Sequence, residues 1–254
     1  MTVDFFGVAM DQIGCMAKVH FSSAGARRVP VVVLASIGNP LRQGATHSQT
    51  LYSLFAHVPG LKVAIPASPY DAKGLLTAAI RDDNPVMFLF HRSLLPSNGV
   101  TDDPDGEHVP EESYALPFGQ LAVRKPGRDL TIVTVSFFVR EVMRALPLLE
   151  EEGIDAEVID MRTLVPLDRA GLVDSVRKTG RLLVVDEDYR SFGMSGELIA
   201  TVAEQACDSL RASPIRLARA DGPIPYSRVL EDAVVPTPRK IVEAAKALMN
   251  GVSH

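Results

Sequence analysis

The chain has 254 residues, 46% hydrophobic and 22% charged, enough for a well-buried core in one large or two modest domains. Thirty-one acidic residues against 26 basic ones leave a net charge of −5, and no run of lysines or arginines offers a phosphate backbone something to track, which argues against nucleic acid as a partner. No apolar stretch approaches the ~18 residues needed to cross a bilayer, and the first residues carry Asp4 and Asp11 where a signal peptide would be basic, so no membrane association and a cytoplasmic location are expected.

Residues 5–19 read as helix-like. From Ala24 onward, short runs rich in valine and isoleucine alternate with helical stretches, the mark of parallel sheets covered by helices. Strands are expected at 29–35, 61–66 and 86–90, and helices at 48–57 and 68–81. The second helix has Ser68 as N-cap, Pro69 at its first position and Asp71 where a capping-box acid would sit. From about Pro96 to Pro117, prolines interleave with acids and few large apolar residues occur, the pattern of an interdomain linker. Beyond it, strands are expected at 130–136, 156–161, 181–185 and 215–218, with helices at 139–152, 168–178, 195–206 and 238–249. Gly153 and Gly180 stand as C-terminal caps. The expected fold is α/β: two three-layer α/β domains with mainly parallel sheets, divided as 1–95, a linker at 96–120, and 121–254. The first of these sheets begins in mid-pattern.

Cys15 and Cys207 are the only cysteines, far apart and without metal-ligand or redox spacing, so two buried thiols are expected. Neither a P-loop nor a Gly-x-Gly-x-x-Gly fingerprint occurs. Gly193-Met-Ser195-Gly196-Glu197 differs from a nucleophile elbow in the spacing of its second glycine, and Ser195 is expected to cap a helix instead. The six histidines lack the i, i+4 spacing that gathers zinc ligands on a helix face.

Four ordered motifs carry more information: Gly44-Ala-Thr-His47-Ser-Gln49, His57-Val-Pro-Gly-Leu-Lys-Val63, Pro69-Tyr-Asp-Ala-Lys-Gly-Leu75 and Ile80-Arg-Asp-Asp-Asn-Pro-Val86, followed by Ala156-Glu-Val-Ile-Asp-Met-Arg-Thr163 and Pro223-Ile-Pro-Tyr226. Together they resemble the β subunits of thiamine-diphosphate-dependent E1 enzymes, which include pyruvate, branched-chain 2-oxo-acid and acetoin dehydrogenases. The resemblance covers essentially the whole chain. It implies a pyrimidine-binding domain followed by a transketolase C-terminal-type domain. It also implies thiamine diphosphate bound between subunits, with the E1 α subunit holding diphosphate and Mg2+ and the β subunit receiving the aminopyrimidine.

The resemblance assigns roles to particular residues. Phe5 matches the aromatic wall against the pyrimidine, and Met1 a position close to the ring; from periodicity alone Phe5 is an ordinary core residue of a helix face. His47 matches the family histidine near the reacting carbon, where an imidazole orients substrate or exchanges a proton; otherwise it is a loop or cap histidine. Val31, Ala79, Ile80, Asp82 and Asn84 match a potassium site built largely of backbone carbonyls, against the plain reading of a capped helix end with a turn at Asn84-Pro85. The activating glutamate lies upstream of the segment that aligns with Met1, so the resemblance implies an N-terminally incomplete β subunit.

The chain also departs from the family pattern. The tract from Ser36 to Arg42 has fewer glycines, with Pro40 and Arg42 placed to reshape a substrate channel, and His91-Arg-Ser-Leu-Leu95 follows Phe90 where an acid is usual. The leading expectation is an E1 β subunit acting on pyruvate, a branched-chain 2-oxo acid or acetoin, in a β–β dimer or α2β2 tetramer that serves an E2 lipoyl acyltransferase. A non-catalytic assembly subunit is the alternative. A sugar-phosphate enzyme of transketolase type would need clustered cations, for which only Arg216 and Arg219 stand near one another; both are expected as stray surface arginines.

Overall fold

The computed structural model describes residues 1–38, 43–95 and 108–251; Pro40, Arg42 and the 96–107 part of the expected linker lie outside the described residues. A 3-10 run, Val3–Ala9, leads into α1 (Met10–Ser22), followed by β1 (Val32–Ile37), α2 (Tyr52–Ala56), β2 (Lys62–Ala64), α3 (Pro69–Ile80) and β3 (Val86–His91). The later part comprises β4 (Ala122–Lys125), β5 (Leu130–Thr134), α4 (Phe137–Glu151), β6 (Ala156–Asp160), β7 (Thr163–Val165) and α5 (Arg169–Thr179). It continues through β8 (Leu182–Tyr189), α6 (Met194–Ala206), β9 (Ile215–Arg219), α7 (Arg228–Val234) and α8 (Pro238–Met249).

These strands form two sheets, β1-β3-β2-β7 and β4-β6-β5-β8-β9. All pairings are parallel except β2 with β7 and β4 with β6. Every residue of β5 and β6 is buried, as expected for strands covered on both faces. One apolar core lies between the second sheet and α4 and α8, through Ile132, Val142, Val158 and Leu248. Another runs without interruption from Val176, Leu198 and Val184 to Val63, Leu89, Ile37 and Phe55, so the two sheets share a single hydrophobic interior.

Local chemistry explains most boundaries. Ser68 Oγ accepts the Asp71 N–H at 3.1 Å with Pro69 opening α3, and Thr237 Oγ1 accepts the Lys240 N–H at 3.4 Å with Pro238 opening α8. Gly180 closes α5 at φ 72°, the left-handed value for which glycine pays no Cβ penalty.

Several expectations are corrected. The helix expected at 48–57 contracts to Tyr52–Ala56 because Leu51 stands at φ 40°, which interrupts the helical path. Ser195 is not the cap of α6: Gly193 holds that position, where a Cβ would lie 2.2 Å from the Tyr189 carbonyl oxygen, and Ser195 donates its N–H to Asp186 Oδ2. Cys15 and Cys207 are exposed, the first on the solvent side of α1 between buried Ile13 and Ala17, the second just past α6. Asp71 does not complete a capping box; its carboxylate pairs with Arg124 and, at 2.7 Å, with Arg162. Strands β4 and β7 and helix α7 were not anticipated, the strands being too short to show alternation.

Arg124 also reaches Asp160 at 2.8 Å, so the Asp71 cluster clamps α3 of the first sheet to β4 and β6 of the second. Burial pushes the Asp160 carboxyl upward against the pull of Arg124 and Arg162. Beside this clamp, the described part of the expected linker straps α3: Tyr114 stacks on Tyr70 at 4.7 Å, and the Leu116 N–H donates to the Gly74 carbonyl oxygen. No helix among the described residues is long and apolar enough to cross a membrane.

Stranding one charge of a buried pair costs about 3–5 kcal/mol. Asp71→Asn is therefore expected to lower the urea midpoint by an amount equivalent to roughly that loss. A midpoint equal to wild type would show that the two arginines are not held through Asp71.

Candidate active site

The carboxyl ends of the parallel strands in both sheets meet, and in open α/β sheets that is where ligands bind. Strand β1 ends at Ile37 and Gly38, β3 at His91 and β8 at Tyr189, while Ser136 beyond β5 donates through Oγ to the Pro66 carbonyl oxygen at 3.3 Å. Gly38 is required there: it has φ 67°, and a Cβ would stand 1.8 Å from His91 Nε2. His91 Nδ1 accepts the Ser93 N–H at 3.0 Å, and its ring stacks on Phe137. Its Nε2 lies 3.0 Å from Glu187 Oε2, without the alignment of a hydrogen bond.

The 3-10 run directs Val3 and Phe6 into the core and leaves Phe5 44% exposed. Phe5 and His47 pack edge to face, with ring centroids 4.9 Å apart and planes at 72°. His47 follows the turn Gly44–Thr46, which Gly44 enters at φ 66° under the Tyr226 ring; a Cβ at Gly44 would come within 2.7 Å of that ring. Thr46 Oγ1 lies 2.8 Å from His47 Nδ1, which fixes the ring and leaves Nε2 as its other polar atom. Met1 is tied to the end of β1, its carbonyl oxygen accepting the Ser36 N–H at 3.1 Å, and its side chain is exposed. Phe5 and His47 thus make one open wall.

A cavity of about 770 Å³ lies elsewhere, lined mainly by apolar groups such as Leu54, Leu164, Leu167, Phe192 and Met194, and it touches neither Phe5 nor His47. Its volume alone gives it no chemistry. The aromatic–imidazole wall carries the better site.

The five residues matched to a cation site gather at the opposite, amino-terminal end of the first sheet. The Val31 carbonyl oxygen accepts the Val86 N–H at 2.9 Å, and that of Ala79 accepts the Asp82 N–H at 3.3 Å. Asp82 Oδ1 takes the Asn84 N–H and Nδ2, and Oδ2 pairs with Lys62 at 2.5 Å. Burial raises the Asp82 carboxyl, but the bonds from Lys62 and Asn84 outweigh it and hold the group below its ordinary value. Ile80 lies beside them with its side chain exposed. Among the described residues, no group of three or more histidine, cysteine, aspartate or glutamate side chains is placed to hold a metal.

Residues with no role assigned from sequence knit the wall to the second sheet. Arg219 is fully buried, a correction to its expected surface position, because the end of β9 sets it between Tyr189 and Gln49; Arg216 remains partly exposed and reaches the Arg190 carbonyl oxygen. The Arg219 guanidinium lies 4.1 Å over the Tyr189 ring. Arg219 Nη2 and the Tyr189 hydroxyl both donate to Gln49 Oε1, at 3.0 and 2.6 Å. Gln49 Nε2 donates to the Ala45 carbonyl oxygen and its backbone N–H to Asp4 Oδ1. One glutamine therefore joins the Phe5 run, the His47 turn and β9. Nearby, the Tyr52 hydroxyl donates to Asp186 Oδ1, and burial followed by the Asp188 charge pushes the Asp186 carboxyl up to about 6. The legible signal was the acidic ending of an apolar strand, Leu182-Leu-Val-Val-Asp-Glu-Asp-Tyr189.

A carboxyl raised from 3.8 to about 6 in the fold favours the protonated folded state, so its contribution is fullest below pH 3.8 and is lost as pH rises toward 6. The full difference is about 3 kcal/mol. Asp186→Asn is expected to gain stability relative to wild type as pH rises from 4 to 7, measured by urea unfolding at each pH. A difference constant across that range would refute the shifted carboxyl.

Comparison with known proteins agrees with this architecture. Residues 1–98 match the family model described as the transketolase pyrimidine-binding domain, and residues 119–241 that of the transketolase C-terminal domain. The β subunit of acetoin:2,6-dichlorophenolindophenol oxidoreductase from Cupriavidus necator is 42% identical over 100% of this chain and 73% of its own length. Its Bacillus subtilis counterpart is 39% identical over 97% of this chain and 70% of its own length. The pyruvate dehydrogenase E1 component β subunit of Bacillus subtilis is 38% identical, covering 98% of this chain and 75% of its own length. A solved structure titled as an inactive β4 tetramer of a split-gene transketolase shares the fold, with a TM-score of 0.69 and 23% identity over 94% of this chain and 74% of that one. With relatives this similar along its whole length and both domain models in order, the chain belongs to the family of β subunits of acetoin oxidoreductases and pyruvate dehydrogenase E1 components.

Proposed function

We propose that the chain is the β subunit of a cytoplasmic, thiamine-diphosphate-dependent E1 component that cleaves a 2-oxo acid, pyruvate or branched-chain, or acetoin, and passes the acyl group to lipoamide of an E2 acyltransferase. The observation that carries the reading is the Phe5–His47 wall at the carboxyl end of β1, built on a chain of this family. In this reading residues 1–95 form the pyrimidine-binding domain, 96–120 the linker and 121–254 the transketolase C-terminal-type domain.

Thiamine diphosphate, when bound, supplies a carbon that stabilises negative charge next to the substrate carbonyl. The residues present suit its flat heterocycle. Phe5 offers a half-exposed aromatic face, and a ring left partly open at a strand-end crevice gains by being covered. Met1, held to β1 through its carbonyl oxygen, is assigned the position beside the ring. The opposite wall, with the diphosphate and Mg2+, belongs to an E1 α subunit, and two such pairs make an α2β2 assembly. His47, its Nδ1 engaged by Thr46, presents Nε2 to hold or move a proton at the substrate or at the lipoyl sulfur. His47→Ala in the α-containing complex is expected to slow acyl transfer to the lipoyl domain about 10²–10⁴-fold while thiamine diphosphate affinity by calorimetry changes less than about threefold. Turnover equal to wild type would overturn the role.

A monovalent cation, K+, is proposed in the corner of Val31, Ala79, Ile80, Asp82 and Asn84. The Val31 carbonyl oxygen keeps a second lone pair after accepting the Val86 N–H. Saturating KCl, compared with choline chloride at equal ionic strength, is expected to raise the melting temperature by a few degrees, about 2–4 °C per kcal/mol of binding linkage. Equal melting temperatures would leave the Lys62–Asp82 pair as the whole of that corner's electrostatics.

A further inference from the structure

Arg92, in the first turn after β3, makes three bonds with one guanidinium. Nε donates to the Gly38 carbonyl oxygen at 3.3 Å, Nη1 to Gln43 Oε1 at 2.6 Å, and Nη2 to the His47 carbonyl oxygen. The planar fork of arginine suits such a task, since its donors point in fixed directions and hold several acceptors at set angles. These acceptors come from the end of β1 and from both sides of the Gly44–Thr46 turn. Within the turn, the His47 N–H donates to the Gly44 carbonyl oxygen at 3.4 Å, and Gln49 Nε2 holds the Ala45 carbonyl oxygen at 2.8 Å. Arg92 supplies a charged donor to the carbonyl of the residue that carries the imidazole, while Thr46 Oγ1 holds the ring at Nδ1.

We propose that Arg92 is a positioning residue: it fixes the backbone at His47 and so aims the ring along the Phe5 wall. It touches no reacting atom. The proposal rests on the reading of His47 given above and adds to it the group that sets its geometry. The charge is better placed here than a neutral donor, because charge-assisted bonds are roughly twice as strong as neutral ones. Lysine would keep the charge and lose the fork, reaching fewer of the three acceptors.

The test uses the complex with the α subunit and four variants of this chain: Arg92→Met, Arg92→Lys, His47→Ala and the double variant Arg92→Met with His47→Ala. Arg92→Met is expected to lower kcat for lipoyl acylation about 10–100-fold with KM for the oxo acid or acetoin changed less than about threefold, because a misaimed group loses rate rather than affinity. Arg92→Lys should recover part of the rate. The double variant should be no slower than His47→Ala, since a residue acting through another adds nothing once that other is gone. A second readout follows the ring itself: in 13C-histidine-labelled protein, the His47 resonance should shift or broaden in Arg92→Met while that of His20, far from the contact, stays put. Rates that multiply in the double variant, or a His47 resonance unmoved in both Arg92 variants, would overturn the proposal. If His47→Ala turns over like wild type, the catalytic reading of His47 fails, and the resonance still decides whether Arg92 orients the ring.

Discussion

A guanidinium sealed from water at the junction of the two sheets is the constraint on which the wall depends. Removing the Arg219 charge from solvent carries an effective cost of several kcal/mol. Stacking on Tyr189 offsets about 2 kcal/mol when desolvated, and the bond to Gln49 Oε1 and the nearby Asp188 carboxylate offset more. Among the described residues, Arg219 Nε and Nη1 nevertheless find no hydrogen-bond partner. A cation held so incompletely does little for stability. Its evident consequence is geometric: it draws Tyr189 and Gln49 to one point, and Gln49 in turn holds Ala45 and Asp4, the neighbours of His47 and Phe5.

The first sheet separates two kinds of chemistry along its strand direction. At the carboxyl end lie Gly38, His91 and the aromatic–imidazole wall; at the amino end lie Val31, Asp82 and Asn84 around Lys62. Parallel pairing of β1 with β3 produces this division, because it places both strand starts on one edge and both strand ends on the other. The carboxyl edge faces the ends of β8 and β9, whereas the amino edge faces away. The former gathers Tyr189 and Arg219 from the second sheet, whereas at the latter Lys62 lies against the Phe118 ring.

Most of the second sheet was legible because β5, β6 and β8 are apolar runs flanked by helices with clear stops at Glu152-Gly153 and Thr179-Gly180. Phe5 and His47 were legible only through motif resemblance; periodicity would have buried the first and left the second a loop residue. What sequence could not provide was the partner of each charge. Asp71 looked like a cap acid because its nearest neighbours in sequence suggested that, while its true partners, Arg124 and Arg162, lie 53 and 91 positions away. Arg219 looked exposed for the same reason, its burial being decided by Tyr189 and Gln49. Leu51 at φ 40° is a tertiary effect that no helix propensity reports.

Backbone strain follows the same junction. Of the described non-glycine residues at positive φ, Leu51, Ser136, Arg162 and Phe192 lie at turns where the two halves meet, and Ala24 lies apart. Each such conformation costs roughly 1–2 kcal/mol relative to the right-handed region. Three are compensated by contacts across the junction. Ser136 bonds to Pro66, Arg162 pairs with Asp71, and Leu51 packs against the shared core. Phe192 is not, since its side chain is 99% exposed. For Ser136 and Arg162 the compensation runs from one sheet to the other. The turn that leads from His47 through Gln49 to Leu51 is thus a property of the paired sheets, and the wall it supports can exist only where the second sheet is already in place.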